Sequence, residues 1–224
     1  MKNLISISGS AGHGKDTVGK IIQWLLSGNV EGQFIEQVCA TKNNEWWLEE
    51  QSGFEIKKFA DKLKQIASLL CGVPLKYWEN QDFKNEKMPE DWGVMTYREF
   101  LQRLGTDVIR NGLDSNVWVN ALFSDYRPQK LSEYNPSRWI ITDTRFPNEL
   151  EAVKERGGVT IKVVRTEVDS SGKRVLSNHI RSAIHSSENA LDGYEFDHII
   201  FNDDGIVELA HKVKNVLIKE GFLV

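Results

Sequence analysis

Short apolar runs alternate with longer amphipathic stretches along the chain. Leu4, Ile5 and Ile7 predict a short buried strand, ended by glycines from Gly9 to Gly14. Val18, Ile21, Ile22, Leu25 and Leu26 then fall at helical spacing. Glu55 to Ala60 predicts a second strand, and Asp61 an N-cap for a helix carrying Leu63, Ile66, Ala67 and Leu70. Thr96 and Glu99 form a capping box for a helix to about Arg110, with Phe100, Leu101, Leu104 and Val108 as its apolar face. Trp118, Leu122 and Phe123 mark a further helix. Trp139 to Thr142 predicts a third strand, ending in Asp143. Pro147 sits early in a helix that stops at Gly157 and Gly158. Thr160–Val164 and His198–Phe201 predict the fourth and fifth strands, and Ile206 to about Glu220 the last helix. Alternation of strands with helices predicts an α/β fold on a five-stranded parallel sheet. Residues 28–54 read as a long irregular excursion, 72–95 as a loop region and 165–190 as a polar segment.

The first turn carries the most specific chemistry. Residues Gly9 to Lys15, GSAGHGK, fit G-x-x-x-x-G-K between a buried strand and an amphipathic helix. Glycines let the chain curl so that backbone N–H groups point at phosphate oxygens, and the helix N-terminus adds its positive end. Gly12, His13, Gly14 and Lys15 are therefore candidate phosphate contacts, with Lys15 bridging the β- and γ-phosphates. His13 reads as an exposed spacer rather than a base. The motif normally continues with Ser or Thr; here Asp16 stands in that place and Thr17 follows. Thr17 is expected on a phosphate, and Asp16 near Mg²⁺. A glycine-rich turn with an exposed lysine is the plainer alternative.

Two further groups could complete a site. Arg98, Gln102, Gly105 and Thr106 fall at i, i+4, i+7 and i+8, one stripe of a helix. Arg98 suits a phosphate and Gln102 a base edge. Gly105 suggests close approach of a ligand or another backbone. Trp118 could stack on a base. From the pattern alone, a solvated polar face with a weak glycine is the simpler reading of the stripe. Asp143 ends an apolar strand, where ligands sit in parallel sheets, and can hold Mg²⁺ through water. Arg145 can reach an adjacent anion, and Glu149 can orient Arg145 or bind a sugar hydroxyl. An N-cap Asp with an exposed ion pair is the alternative. Arg165 and Arg181 lie in the polar segment at about 165–190, which reads either as a lid over the phosphates or as a solvated loop.

Composition narrows the partners. Among 224 residues the net charge is -4, so nucleic acid is not favoured as the main partner. The apolar run at the start is too short for a signal peptide, and no stretch approaches a membrane span. The two cysteines, Cys39 and Cys71, have no metal-site spacing and fit a reducing cytoplasm. Monomer and homodimer both stay open.

Together these residues resemble the phage-type deoxynucleoside monophosphate kinase family. The matching segments are SGSAGHGKDT (8–17), KKFADKLKQIA (57–67), REFLQRLGTDVIR (98–110), WVNALF (118–123), ITDTRFPNELEAVKERGG (141–158), IKVVR (161–165) and HSSENALDGYEFDHIIFND (185–203). They run in family order over most of the chain, and residues 28–54 match poorly. The resemblance implies a single three-layer P-loop domain of the nucleoside monophosphate kinase type, with an acceptor-binding helical region at about 61–125 and a small lid. It also implies ATP as co-substrate, Mg²⁺ as cofactor and a deoxynucleoside monophosphate as acceptor. It points to Lys15, Asp16 and Thr17 as phosphate and metal contacts. Arg98, Gln102, Thr106 and Trp118 become acceptor contacts, and Asp143, Arg145 and Glu149 active-site residues. The rival readings are a kinase of another small molecule, such as dephospho-coenzyme A or a sugar acid, and a nucleotide-binding ATPase switch. The base preference is not legible.

Overall fold

The computed structural model describes residues 2–28, 35–40, 45–130, 135–168, 174–176 and 190–224. The chain divides into two compact units, one of Met1–Lys57 with Arg127–Val224 and one of Lys58–Tyr126.

The larger unit is built on a parallel sheet of five strands in the order β2-β3-β1-β4-β7. These are β1 (Leu4–Ser8), β2 (Glu55–Lys57), β3 (Trp139–Thr144), β4 (Val159–Val164) and β7 (His198–Phe201). β1 lies at the centre, with Ile5 opposite Ile140 on one side and Val159 on the other. It is buried at every position, which its unbroken apolar run requires. Alternation along the strands sends Ile5, Ile7, Ile140, Ile161 and Val163 into one core with the apolar faces of α1 (Lys15–Leu26) and the last helix, α9 (Ile206–Lys219). α8 (Pro147–Glu155) packs against β1 and β4 with Leu150 and Val153 buried. Leu4, which alternates with Ile5 along β1, lies beside Val153 at Gly158. The layering is α/β/α. Gly19 decides how closely α1 can lie: a Cβ there would stand 2.8 Å from Thr142 Cγ2.

Residues expected to be irregular form short elements. α2 (Ile35–Ala40) and α3 (Glu45–Ser52) occupy much of 28–54, and Ile35 and Leu48 join the main core. In the polar segment, β5 (Thr166–Val168) pairs antiparallel with β6 (Arg174–Leu176).

The smaller unit is helical. α4 (Ala60–Cys71) begins one residue before Asp61, so Asp61 is not its N-cap. The Asp61 carboxylate accepts from Lys58 N–H in the first turn instead (3.2 Å). The region 72–95 is not a plain loop. It holds 3₁₀ turns at Leu75–Glu79 and Glu90–Trp92 and a helix α5 (Gln81–Asn85) capped by Asn80. α6 (Tyr97–Gln102) starts at the Thr96–Glu99 capping box. It continues as a π-helical segment, Arg103–Arg110, before α7 (Val117–Phe123). Trp78, Tyr97, Phe83 and Phe100 form an aromatic cluster under α4 and α6, with Phe83 stacked on Tyr97 at 4.2 Å.

Candidate active site

In the larger unit β1 ends at Ser8, the loop runs from Gly9 to Gly14, and α1 starts at Lys15. Gly9, Gly12 and Gly14 have φ of 148°, 77° and 94°. Gly14 is the left-handed N-cap of α1 and brings no side-chain acceptor to the first-turn amides. Those donors and the helix dipole point at the loop, the arrangement that binds anions. A Cβ on Gly9 would collide with the Val163 carbonyl of β4. Lys15 arches over the loop, its Nζ donating to the carbonyls of Gly9 (2.6 Å) and Ser10 (2.9 Å). The ammonium is thus held against the first two residues of the loop.

His13 is not an exposed spacer. It is 8% exposed, and its Nδ1 donates to the Val163 carbonyl at 3.3 Å. Its own carbonyl accepts from Asn202 Nδ2 (3.0 Å), just beyond β7. His13 and Asn202 therefore peg the loop to the ends of β4 and β7. The sequence reading missed Asn202, which follows an edge strand with Ile200 as its one buried residue and carries no local signal.

β3 brings the acids. Thr142 Oγ1 donates to Asp16 Oδ1 (2.7 Å), which ties the first turn of α1 to the strand that carries Asp143 one residue later. Thr17, in the same turn, is half-buried. Thr144 shares a hydrogen bond with Ser6 Oγ (2.7 Å) across the sheet. Glu149 is 2% exposed, and its Oε2 accepts from the N–H groups of Arg145 (2.8 Å) and Phe146 (3.1 Å). Of the two roles open to Glu149, these bonds fit orientation of Arg145, achieved through the main chain. Arg145 lines a cleft at the carboxyl ends of β1, β3 and β4, together with Ser8, Ser10 and Lys162. Lys162 was also missed, although a lysine inside an apolar strand is a readable signal. Its Nζ lies 4.0 Å from Asp192 and 5.7 Å from the centre of the Phe196 ring.

The smaller unit carries the second group. The Arg98 guanidinium donates from Nε to Asn85 (3.0 Å) and from Nη2 to Gln81 (2.9 Å), both neutral amides. Gln102 and Thr106 are half-buried on the same helix. The space beside Gly105 is taken by a side chain: a Cβ there would stand 2.6 Å from Leu63 Cδ2. Trp118 is 5% exposed, and its indole N–H donates to the Gly105 carbonyl (2.9 Å). Its ring is packed into the unit, not presented as an open stacking face. Burial, then the like charges of Lys64, Arg98 and Lys58, push the Lys84 ammonium down to about 8, against the pull of Glu79.

Arg165 is exposed just beyond β4, while Arg181 and most of the lid expected at about 165–190 lie outside the described residues. Among the described residues no three His, Cys, Asp or Glu side chains converge as a metal cage, and no helix is long and apolar enough to cross a membrane. Cys39 and Cys71 are free thiols, and burial pushes both up.

Residues 48–213 match the family model described as deoxynucleotide monophosphate kinase. The deoxynucleotide monophosphate kinase of Enterobacteria phage T4 is 34% identical over 128 residues, covering 57% of this chain and 46% of that one. That of Escherichia phage RB69 is 30% identical with the same coverage. The deoxynucleoside-5'-monophosphate kinase of Escherichia phage T5 is 25% identical over 96% of both chains. This chain thus spans about half the length of the T4 and RB69 proteins in these matches.

Proposed function

The chain belongs to the deoxynucleotide monophosphate kinase family, and from that premise we propose that it transfers the γ-phosphate of ATP to a deoxynucleoside monophosphate, giving ADP and a deoxynucleoside diphosphate. One observation carries the reading beyond kinship: the Thr142–Asp16 bond holds a lysine-centred phosphate loop against the strand tip that bears Asp143. That juxtaposition suits a nucleoside triphosphate better than it suits a structural turn.

The chain's own groups divide the work. Backbone amides from Gly12 to Thr17 grip the polyphosphate, and Lys15 stabilises the charge on the departing γ-phosphoryl group. Arg145, its backbone fixed by Glu149, supplies a cation in the cleft beside the phosphate loop. Arg98, Gln102 and Thr106 bind the acceptor, and Arg165 and Arg181 are candidate lid cations. The acceptor's phosphate oxygen is already ionised at neutral pH, so no strong base is required, and positioning does most of the catalysis.

Asp16 and Asp143 offer the hard oxygen donors that suit Mg²⁺, an ion held by one or two carboxylates plus substrate phosphates and seldom by an all-protein cage. When bound, it neutralises phosphate charge. The free cysteines fit a reducing cytoplasm.

Coupled ADP release tests the reading across dGMP, dTMP, dCMP, dAMP and their ribo counterparts, with dephospho-coenzyme A and a sugar acid as controls. ADP release is expected with at least one deoxynucleotide and not with the controls. Lys15→Ala is expected to lower kcat by roughly 10²–10³-fold with melting temperature preserved. Acceptor-independent ATP hydrolysis, or full turnover in a folded Lys15→Ala variant, would contradict it.

A further inference from the structure

The cleft beside the phosphate loop has a floor that the loop motif does not explain. Register sets Ser8 of β1 opposite Thr144 of β3 on one side and Lys162 of β4 on the other, so the three form one row across neighbouring strands. All three line the cleft, with Ser10 and Arg145. Ile7, Ile161 and Val163 alternate with this row and pack into the core with α1, which puts the row on the opposite face of the sheet. That face changes character along β1. Leu4 lies beside Val153 of α8, but Ser6 and Ser8 follow it, with Ser6 bonded to Thr144 (2.7 Å). Apolar cover thus gives way to polar groups toward the carboxyl ends of the strands, where ligands sit in parallel sheets.

β4 is an interior strand, flanked by β1 and β7, and a charge on it is costly unless it is paired. Lys162 Nζ reaches Asp192 at 4.0 Å, the outer limit of an ion pair, and that carboxylate side chain is 73% exposed. Such a pair contributes little. The Phe196 ring, 5.7 Å from Nζ, steadies the ammonium without neutralising it. Among the described residues lining the cleft, Arg145 and Lys162 are the cations and Asp192 is the one carboxylate.

We propose that Lys162 is a substrate-binding residue that, with Arg145, seats the phosphate of the deoxynucleoside monophosphate acceptor beside the Ser8 and Ser10 hydroxyls. The proposal rests on the kinase reading and adds the acceptor's phosphate end to it. In-line transfer brings the acceptor oxygen to the γ-phosphorus from the side opposite the departing ADP. The loop amides and Lys15 hold the donor's polyphosphate at the first turn of α1. Lys162 lies on the other face of the sheet, beside the first residues of the loop, a place that suits the incoming phosphate and not the donor's. Two phosphate groups brought together repel, and two cations beside them offset that repulsion. A phosphate dianion carries more charge than the Asp192 carboxylate and accepts strong charge-assisted bonds, so it displaces Asp192 from Lys162.

Steady-state kinetics of Lys162→Met, which keeps the side chain's length and removes its charge, tests the assignment. The acceptor KM is expected to rise roughly ten- to hundredfold while the ATP KM stays within about twofold. Lys162→Arg, which keeps a cation, recovers most of the loss. Competition by the matching deoxynucleoside, which has the base and sugar but no phosphate, is equally strong in wild type and Lys162→Met. A crystal structure of the wild-type chain with its acceptor needs no variant, and a phosphate oxygen is expected about 3 Å from Lys162 Nζ. An unchanged acceptor KM in a folded Lys162→Met enzyme overturns the assignment and leaves the kinase reading standing. So does a rise confined to the ATP KM, a deoxynucleoside weakened as much as the nucleotide, or an acceptor phosphate bound away from Lys162. No binding or turnover with any deoxynucleotide overturns both.

Discussion

The loop glycines differ in what they tolerate. Gly14 has φ 94°, and a Cβ there would stand 2.6 Å from Asn202 Nδ2, the group that holds the His13 carbonyl. Gly12 has φ 77°, with nothing within 4 Å of a Cβ. Gly14→Ala therefore carries both backbone strain and loss of the Asn202 peg, whereas Gly12→Ala carries strain alone. Gly14→Ala is expected to cost about 1–3 kcal/mol and to raise the ATP KM, with the smaller effect in Gly12→Ala. Thermal melts and ATP titrations of the pair check this, and equal effects would contradict the peg. Lys15 and Asp16 were legible because a fixed local spacing specifies them. The burial of His13 and its peg to Asn202 were not, because the partners lie more than a hundred residues apart in sequence and neither residue type has a periodic signature.

Elements were legible where an apolar period ran long enough. Four of the five parallel strands and the helices of 12 or more residues, α1, α4 and α9, follow their hydrophobic patterns, whereas β2 stops at Lys57, short of the expected Ala60, which opens α4. α2, α3 and α5 span six, eight and five residues, too short for a helical period to stand out from irregular chain. Asp61 failed as a cap because its carboxylate bonds back to Lys58 from inside the first turn, a choice that composition alone does not make. The π-helical run after Gln102 depends on tertiary contacts, since Gly105 admits Leu63 and gives its carbonyl to Trp118. Gly105→Ala is accordingly expected to destabilise by about 1–3 kcal/mol through overpacking, and Leu63→Val beneath it to recover part of the loss. Urea unfolding of the single and double variants measures this. Additive losses would argue against the Leu63 contact.

At the scale of the molecule, the sheet order β2-β3-β1-β4-β7 gathers the phosphate loop, the Asp143 strand tip, Arg145 and Lys162 at one end of the larger unit. Parallel sheets place ligands at the carboxyl ends of their strands. The helical unit holds Arg98 and its neighbouring lysines. The sequence announced the phosphate loop, Asp143, Arg145 and Arg98 through compact motifs, but not Lys162, and not Lys64 or Lys84, which read as ordinary surface charge until their burial is seen. The central claim is that a phosphoryl group leaves ATP at this loop and arrives on a deoxynucleotide. Phosphorus-31 NMR of the chain with ATP, Mg²⁺ and its best deoxynucleoside monophosphate follows that group itself. The deoxynucleoside diphosphate signal should grow in step with ADP, one for one, with no early inorganic phosphate. ADP rising with inorganic phosphate while the deoxynucleoside monophosphate signal stays constant would contradict the claim.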